Sequence, residues 1–329
     1  MVGASILIVK NRCHHCCVMD KINSTDSDYK SLFERNYGVF SPEEQEKLRQ
    51  ANILIIGSGG IGGIVAISLA RMGVEKMTIY EFDSFQISNL NRQIGCDVDT
   101  IGQNKGVVTK ESILKINPQA KITLIPRALK PEEILLVIKQ EAWDVIIPAA
   151  DSWPLSVSML DACIDAGVPA IMSYPAGAFG RVCSFMPDGP YASECLTMPY
   201  KAPYDELKVF MESKENRSIL YYYRVLGGWT QEWFEGFCEG ILPHPQIAPI
   251  VWISGTLAAM EMMKIITGRW KPVAAPRYWH ITPDGGHIAK FGFGRRLLSR
   301  MMQKEWGRGI IPVLAKRPRL VRIFTRLIS

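Results

Sequence analysis

An apolar run, ILIIGSGGIGG at residues 53–63, breaks into glycine just before an amphipathic stretch. Gly57, Gly59, Gly60 and Gly62 lack a Cβ, so backbone there can approach a phosphate closely. The helix that follows offers its unpaired N–H groups to an anion. Glu81 ends the next apolar run, about where a ribose-binding carboxylate belongs. To this point the pattern fits a dinucleotide for hydride transfer, ATP to be broken, or a turn made only for tight packing.

The residues beyond Glu81 separate these chemistries. EFDSFQISNLNRQ, residues 81–93, carries Asp83, Asn89, Arg92 and Gln93, and IGQNK brings Lys105. Hydride transfer has no need for an arginine and a lysine here. Attack on an α-phosphate does, because negative charge develops on the phosphoryl oxygens and on leaving pyrophosphate. Asp151 closes DVIIPAAD, and parallel-sheet enzymes place ligand-binding residues at such strand ends. A carboxylate there suits Mg²⁺ bridging phosphates. Taken singly, Arg92 or Lys105 reads as a solvated surface charge; the set favours ATP.

These residues need elements to position them. Apolar strands are expected at 52–57, 76–81, 121–127, 144–150 and 169–173, alternating with helices at 61–72, 103–116, 131–140 and 154–166. Ahead of them, Ser41 caps a helix that has Pro42 in its first turn and Glu44 completing a capping box. GRVCSFMPDG reads as a further strand, 249–267 as a strongly apolar helix ended by Gly268, and RYWHITPDGGHIAKFG as a hairpin turning at Asp284-Gly285. The expected fold is α/β, a doubly wound, mostly parallel sheet with a Rossmann-like ATP-binding half and a C-terminal antiparallel extension. Residues 200–242 are polar, aromatic and without clear period, and read as a functional loop with some helix.

Composition bounds the rest. The chain has 329 residues, 47% of them hydrophobic, and a formal net charge of +6. That charge permits an anionic ligand without demanding nucleic acid, which is not expected as a partner. No apolar run reads as a membrane span, and the first residues lack the pattern of a signal peptide. Eight cysteines in a chain this long fit no disulfide framework, so a reducing cytoplasm is the expected setting. CHHCC at 13–17 packs its possible ligands too closely for a closed tetrahedral zinc site, and residues 1–32 read as a disordered or mis-started leader. The tail, 293–329, mixes basic and apolar residues as an amphipathic segment does.

GSGGIGG, EFDSFQISNLNRQ, IGQNK and AAD together resemble the adenylyltransferases of thiamin and molybdopterin biosynthesis, the ThiF/MoeB-like relatives of the ubiquitin-activating enzymes. The SNLNRQ element is far more specific than the glycines. The likeness covers about 35–292, within an adenylation domain set at 33–292 in which 200–242 is a substrate or crossover loop. It implies ATP-dependent, Mg²⁺-assisted transfer of AMP to the C-terminal carboxylate of a small ubiquitin-like or sulfur-carrier protein, or of a precursor peptide. It implies that Gly57, Gly59 and Gly62 line the phosphates and that Glu81 replaces an aspartate at the ribose. Asn89, Arg92 and Lys105 then contact phosphates, and Asp151 serves Mg²⁺. Arg35 resembles the arginine that family homodimers donate into the neighbour's site. Two departures stand out. One structural-zinc pair is reduced to ASEC, Ala192 to Cys195, with no cysteine beyond Cys238, so no structural zinc is expected. Cys238 lies near, but displaced from, the place where some relatives carry a nucleophilic cysteine; it is either that nucleophile or a packed, inert residue. Competing readings are a peptide-maturing enzyme that uses the acyl adenylate for dehydration or cyclisation, a tRNA-modifying dehydratase, and a non-catalytic partner subunit.

Overall fold

The structure, a computed structural model, describes residues 26–213 and 227–292. Strands β1 (Asn52–Ile56), β2 (Lys76–Tyr80), β3 (Lys121–Ile125), β4 (Val145–Pro148) and β5 (Ala170–Ala176) run parallel. Three antiparallel strands extend them: β6 (Phe179–Phe185), β7 (Arg277–Thr282) and β8 (Gly285–Lys290). The sheet order is β3-β2-β1-β4-β5-β6-β7-β8, so the chain winds outward in both directions from the β1/β4 pair.

The helices are α1 (Asp26–Leu32), α2 (Pro42–Gln50), α3 (Gly60–Arg71), α4 (Lys105–Ile116), α5 (Ile134–Gln140), α6 (Trp153–Ala166), α7 (Ala192–Cys195), α8 (Tyr204–Met211), α9 (Gln231–Cys238) and α10 (Ala248–Thr267). Alternation along β1 divides them between two cores. Leu54 and Ile56 pack with Val137, Leu160 and Phe210 of α5, α6 and α8. Ile53 and Ile55 face the other way, against Val65 and Leu69 of α3 and Val251 and Met262 of α10. Both faces are covered, which is why these strands read as continuous apolar runs rather than alternating ones. The α2 capping box forms as expected: Ser41 Oγ accepts the Glu44 N–H at 3.2 Å, and Glu44 Oε2 accepts the Ser41 N–H at 2.8 Å.

Several expectations are corrected. Residues 26–32, assigned to a leader, form α1, and buried Tyr29 bonds the Gly73 carbonyl from it at 2.8 Å. Helix 131–140 splits into a 3₁₀ turn, Pro131–Glu133, and α5. The last hairpin turns on Pro283 and Asp284, because Thr282 pairs with Gly285. The described part of residues 200–242 holds helices α8 and α9, in keeping with the expected loop with some helix. CHHCC and the tail lie outside the described residues.

Helix α10 is long and apolar enough to cross a bilayer by length and composition alone. In this fold half of it lies inside the core, and it carries Glu261, which has no exposed surface. Glu261 accepts the Val273 N–H (2.6 Å), the Trp279 indole N–H (2.8 Å) and the Lys264 ammonium (2.6 Å). One carboxylate thus ties the core helix to the antiparallel extension. Removing a buried anion with this many donors strands them without a partner. Glu261→Ala is expected to lower unfolding free energy by about 3–5 kcal/mol, measured by urea titration.

Candidate functional site

A cleft of about 1050 Å³ opens beyond the carboxyl ends of the parallel strands, where β1 and β4 part. This switch point is where open α/β sheets bind ligands. Gly57 leaves β1 with φ of +91° and approaches Ala149 after β4 so closely that a Cβ would lie 2.8 Å from its carbonyl oxygen. Gly62, one turn into α3, approaches Gly57 more closely still; a Cβ there would meet the Gly57 oxygen at 1.8 Å. The turn is therefore closed backbone to backbone. No side chain caps α3, so its first N–H groups remain for a ligand.

Glu81 stabilises this turn from the end of β2. It is buried, and its Oε2 accepts the Ser58 N–H at 2.7 Å and the Ser58 hydroxyl at 3.1 Å. Oε1 accepts the Asp83 N–H at 2.8 Å, which leaves it one lone pair for a ribose hydroxyl. Gln93 is buried over Gly59, its Oε1 without a partner among the described residues.

Two cations converge on the cleft. Lys105 opens α4 with its side chain buried, and its Nζ lies 3.3 Å from Asp83 Oδ2. An ammonium has three N–H donors, so two remain. Arg92 donates from Nε to Gln246 Oε1 (2.6 Å) and from Nη1 to Ser88 O (3.0 Å) and Asn91 Oδ1 (2.8 Å). Its Nη2 has no acceptor among the described residues. Burial lowers the Arg92 pKa from its ordinary value, and the charge of Asp151 opposes that shift. Asp151 is exposed just beyond β4, on the same cleft. A glycine turn, two cations with spare donors and a carboxylate can hold a polyphosphate and its metal ion.

Not every expected residue faces the cleft. Gly57, Gly59, Gly60, Glu81, Asp83, Arg92, Gln93, Lys105 and Asp151 line it. Gly62 lies beneath the turn. Asn89 is buried, and its Oδ1 accepts the Gln86 N–H (3.0 Å) to close its own 3₁₀ turn. Arg35 is exposed on the turn Glu34–Gly38, away from the cleft of its own chain.

Other lining residues were not anticipated. Tyr80, Arg127, Leu129 and Pro131 form a wall suited to a flat base. At the opposite end Trp153, Tyr174, Met198, Tyr204 and Phe237 make a largely apolar chamber that also contains Cys238 and His244. His244 Nε2 lies 3.3 Å from Tyr174 Oη, and its ring packs edge-on against Trp229 and Phe237. Burial first, then the Arg92 charge, pushes its pKa down to about 4, so the ring is neutral at pH 7. Gln246 and Ser58 were also missed: Ser58 stands in the glycine motif itself, whereas nothing near Gln246 announces its contact with Arg92. Cys195 lies buried in α7, and no group of three His, Cys, Asp or Glu suited to a metal gathers among the described residues.

Comparison with known proteins bears on this cleft. The ThiF family model matches residues 33–293. The sulfur carrier protein adenylyltransferase of Thermus thermophilus is 26% identical over 239 residues, 71% of this chain and 75% of that protein. The tRNA threonylcarbamoyladenosine dehydratase of Haemophilus influenzae is 31% identical over 135 residues, 40% of this chain and about half (51%) of that one. The structure of Escherichia coli MccB with ATP shares the fold, with a TM-score of 0.60 and 22% identity, covering 82% of this chain and 72% of that one.

The backbone closure under the turn yields a direct test. Gly62→Ala forces a methyl group against the Gly57 carbonyl, so the turn must open. ATP affinity is expected to fall at least about tenfold by calorimetry, since small displacements of binding groups are costly. The melting temperature should fall as well.

Proposed function

The chain belongs to the ThiF family and is an adenylating enzyme; from that premise we propose that it activates the C-terminal carboxylate of a small ubiquitin-like or sulfur-carrier protein, or of a precursor peptide. The observation that carries this reading is the convergence of Arg92, Lys105 and Asp151 on one cleft with the glycine turn. The substrate carboxylate oxygen attacks the α-phosphorus of ATP, the bond to the β-phosphate oxygen breaks, and pyrophosphate leaves. Two anions must meet for this step. The spare donors of Arg92 and Lys105 offset their repulsion and stabilise charge on the transferring group.

Mg²⁺ requires few protein ligands, because phosphates and water complete its octahedron. Asp151, exposed at the strand end and making no hydrogen bond to the described residues, suits it, and the ion would neutralise phosphate charge there. Glu81 would orient the ribose. The chamber with Trp153 and Tyr174 would receive the chain end that bears the carboxylate. Cys238 on that chamber is available as a later acyl acceptor, although adenylation itself needs no thiol. Arg92, Lys105 and Asp151 have no purpose in a non-catalytic partner subunit. Likeness to the tRNA dehydratase favours a second reading, activation of a carboxylate on RNA, which salt-sensitive tRNA binding would reveal.

A homodimer is part of this proposal. Ile87, Leu90, Ile94 and Val98 are exposed on the segment after Glu81, as are Trp252 and Ile253 on α10, and the Trp252 indole reaches the Arg92 carbonyl at 2.8 Å. Apolar exposure on this scale marks an interface. We assign the enzyme to a cytoplasmic setting, as its adenylyltransferase relatives suggest.

The test is ATP–pyrophosphate exchange with a panel of small proteins ending in Gly-Gly and of synthetic peptides, each with a free or an amidated C-terminus. Exchange is expected with free carboxylates alone, and to fall about 10²–10³-fold in Arg92→Ala and in Asp151→Ala. Undiminished exchange in either folded variant, or with amidated ends, would remove the basis of the proposal.

Arg35 supplies a second measurement. Because it stands away from its own cleft, it is expected to act in the neighbour's. Mixed Arg35→Ala and Asp151→Ala subunits, each inactive alone, should recover activity from one intact site per heterodimer. A mixture that stays inactive after verified subunit exchange would exclude action in trans.

A further inference from the structure

Arg92 lines the cleft, where a flexible arginine would sample many directions. The structure fixes it from far along the chain. Gln246 lies between α9 and α10, and its Oε1 accepts the Arg92 Nε–H at 2.6 Å. Its own Nε2 donates to the Pro175 carbonyl of β5 at 3.3 Å. The amide is therefore a rigid strut with one end on the central sheet and the other on the guanidinium.

The backbone of Gln246 is held as firmly. Gln246 forms a β-bridge with Gly177, and the Gly177 N–H donates to the Pro245 carbonyl at 2.7 Å. The Asn91 side chain donates to the Gln246 carbonyl at 3.0 Å while accepting from Arg92 Nη1. Guanidinium is planar, with five N–H donors in a fixed fork. Fixing Nε and both Nη1 donors fixes the plane and hence the direction of Nη2, the part left for a ligand.

We propose that Gln246 is a positioning residue for Arg92, holding the guanidinium so that its Nη2 donors are already aimed at the ATP phosphates. This deepens the adenylation reading and rests on it. An aimed donor needs no reorganisation when charge develops, which is the main source of electrostatic catalysis. Gln246 borders the cleft, but its amide oxygen is engaged by Arg92 and its amide nitrogen by the Pro175 carbonyl, so it acts on ATP through the guanidinium. Its whole effect passes through Arg92.

That dependence makes a double-mutant cycle the decisive experiment. Gln246→Met keeps the length of the side chain and removes both polar atoms; Gln246→Asn, too short to reach, replaces it should the methionine variant fail to fold. Arg92→Lys retains a charge and has no Nε donor to hold. In the wild-type background the Gln246 change is expected to lower kcat for pyrophosphate exchange roughly 10–100-fold, with the KM for ATP moving a few-fold. In the Arg92→Lys background the same change should cost less than about twofold in either quantity. Equal losses in the two backgrounds, or no loss in the wild type, would overturn the proposal.

ATP affinity measured by calorimetry across the four proteins repeats the cycle without any carboxylate. A wild type that supports no exchange with any probe, but shows coupled ATP affinities, would refute adenylation while leaving the Gln246–Arg92 strut in place. Uncoupled ATP affinities would refute the strut itself.

Discussion

The site depends on one contact between two pieces of backbone, the approach of α3 to the carbonyl of Gly57. At that distance no side chain fits at position 62, and the chain can turn from strand to helix within a few residues. The turn places the N-terminus of α3 over the open end of the sheet. It also brings Ser58 within reach of the Glu81 carboxylate, which links the glycine turn to the end of β2. The glycines at 59 and 60 let Gln93 and Val251 pack directly on the turn. A Cβ at 60 would lie 2.9 Å from Val251 Cγ1, so a larger residue there would push α10 away from the turn.

Charge is arranged around this turn so that each cation is anchored and still has donors left. Lys105 is buried, and a lone buried ammonium would be costly to hold charged. Asp83 offsets that cost from one side only. Arg92 is fixed through three of its donors by a glutamine, an asparagine and a carbonyl, all of them neutral. Neutral anchors do not themselves cancel the positive charge of the guanidinium, which Asp151 offsets only through space. A carboxylate in place of Gln246 would aim the group equally well but cancel much of its field.

Legibility from sequence follows the range of the interactions involved. The parallel strands, the capped helix at Ser41 and the glycine turn each carry a local signature of apolar run, capping residue or glycine spacing, and they appear where that pattern places them. Polar identity alone did not tell which residues of 81–93 face a ligand. Asn89 closes its own turn, whereas Gln93 lies over the glycines, and no periodicity distinguishes them in an irregular segment. The last hairpin shifts by one residue because Pro283, Asp284 and Gly285 all favour a turn, and pairing with β7 decides among them. Gln246 and Glu261 were invisible for a different reason. One sits in a proline-rich connection and the other in an apolar helix, and the meaning of each comes from partners that only the folded sheet brings near.

The contact between Arg92 and Gln246 spans 154 positions of sequence. Synthesis proceeds at about 5–20 residues per second, so on the ribosome roughly 8–30 s separate the two side chains. During that interval the glycine turn and β1 to β5 can already have formed, yet the arginine has no strut. An unfinished chain would present a nucleotide-sized hollow without an aimed guanidinium. Competence to cleave ATP would thus wait for Gln246 to emerge, and a truncated product ending before it would be poorly equipped to consume nucleotide without a substrate to modify.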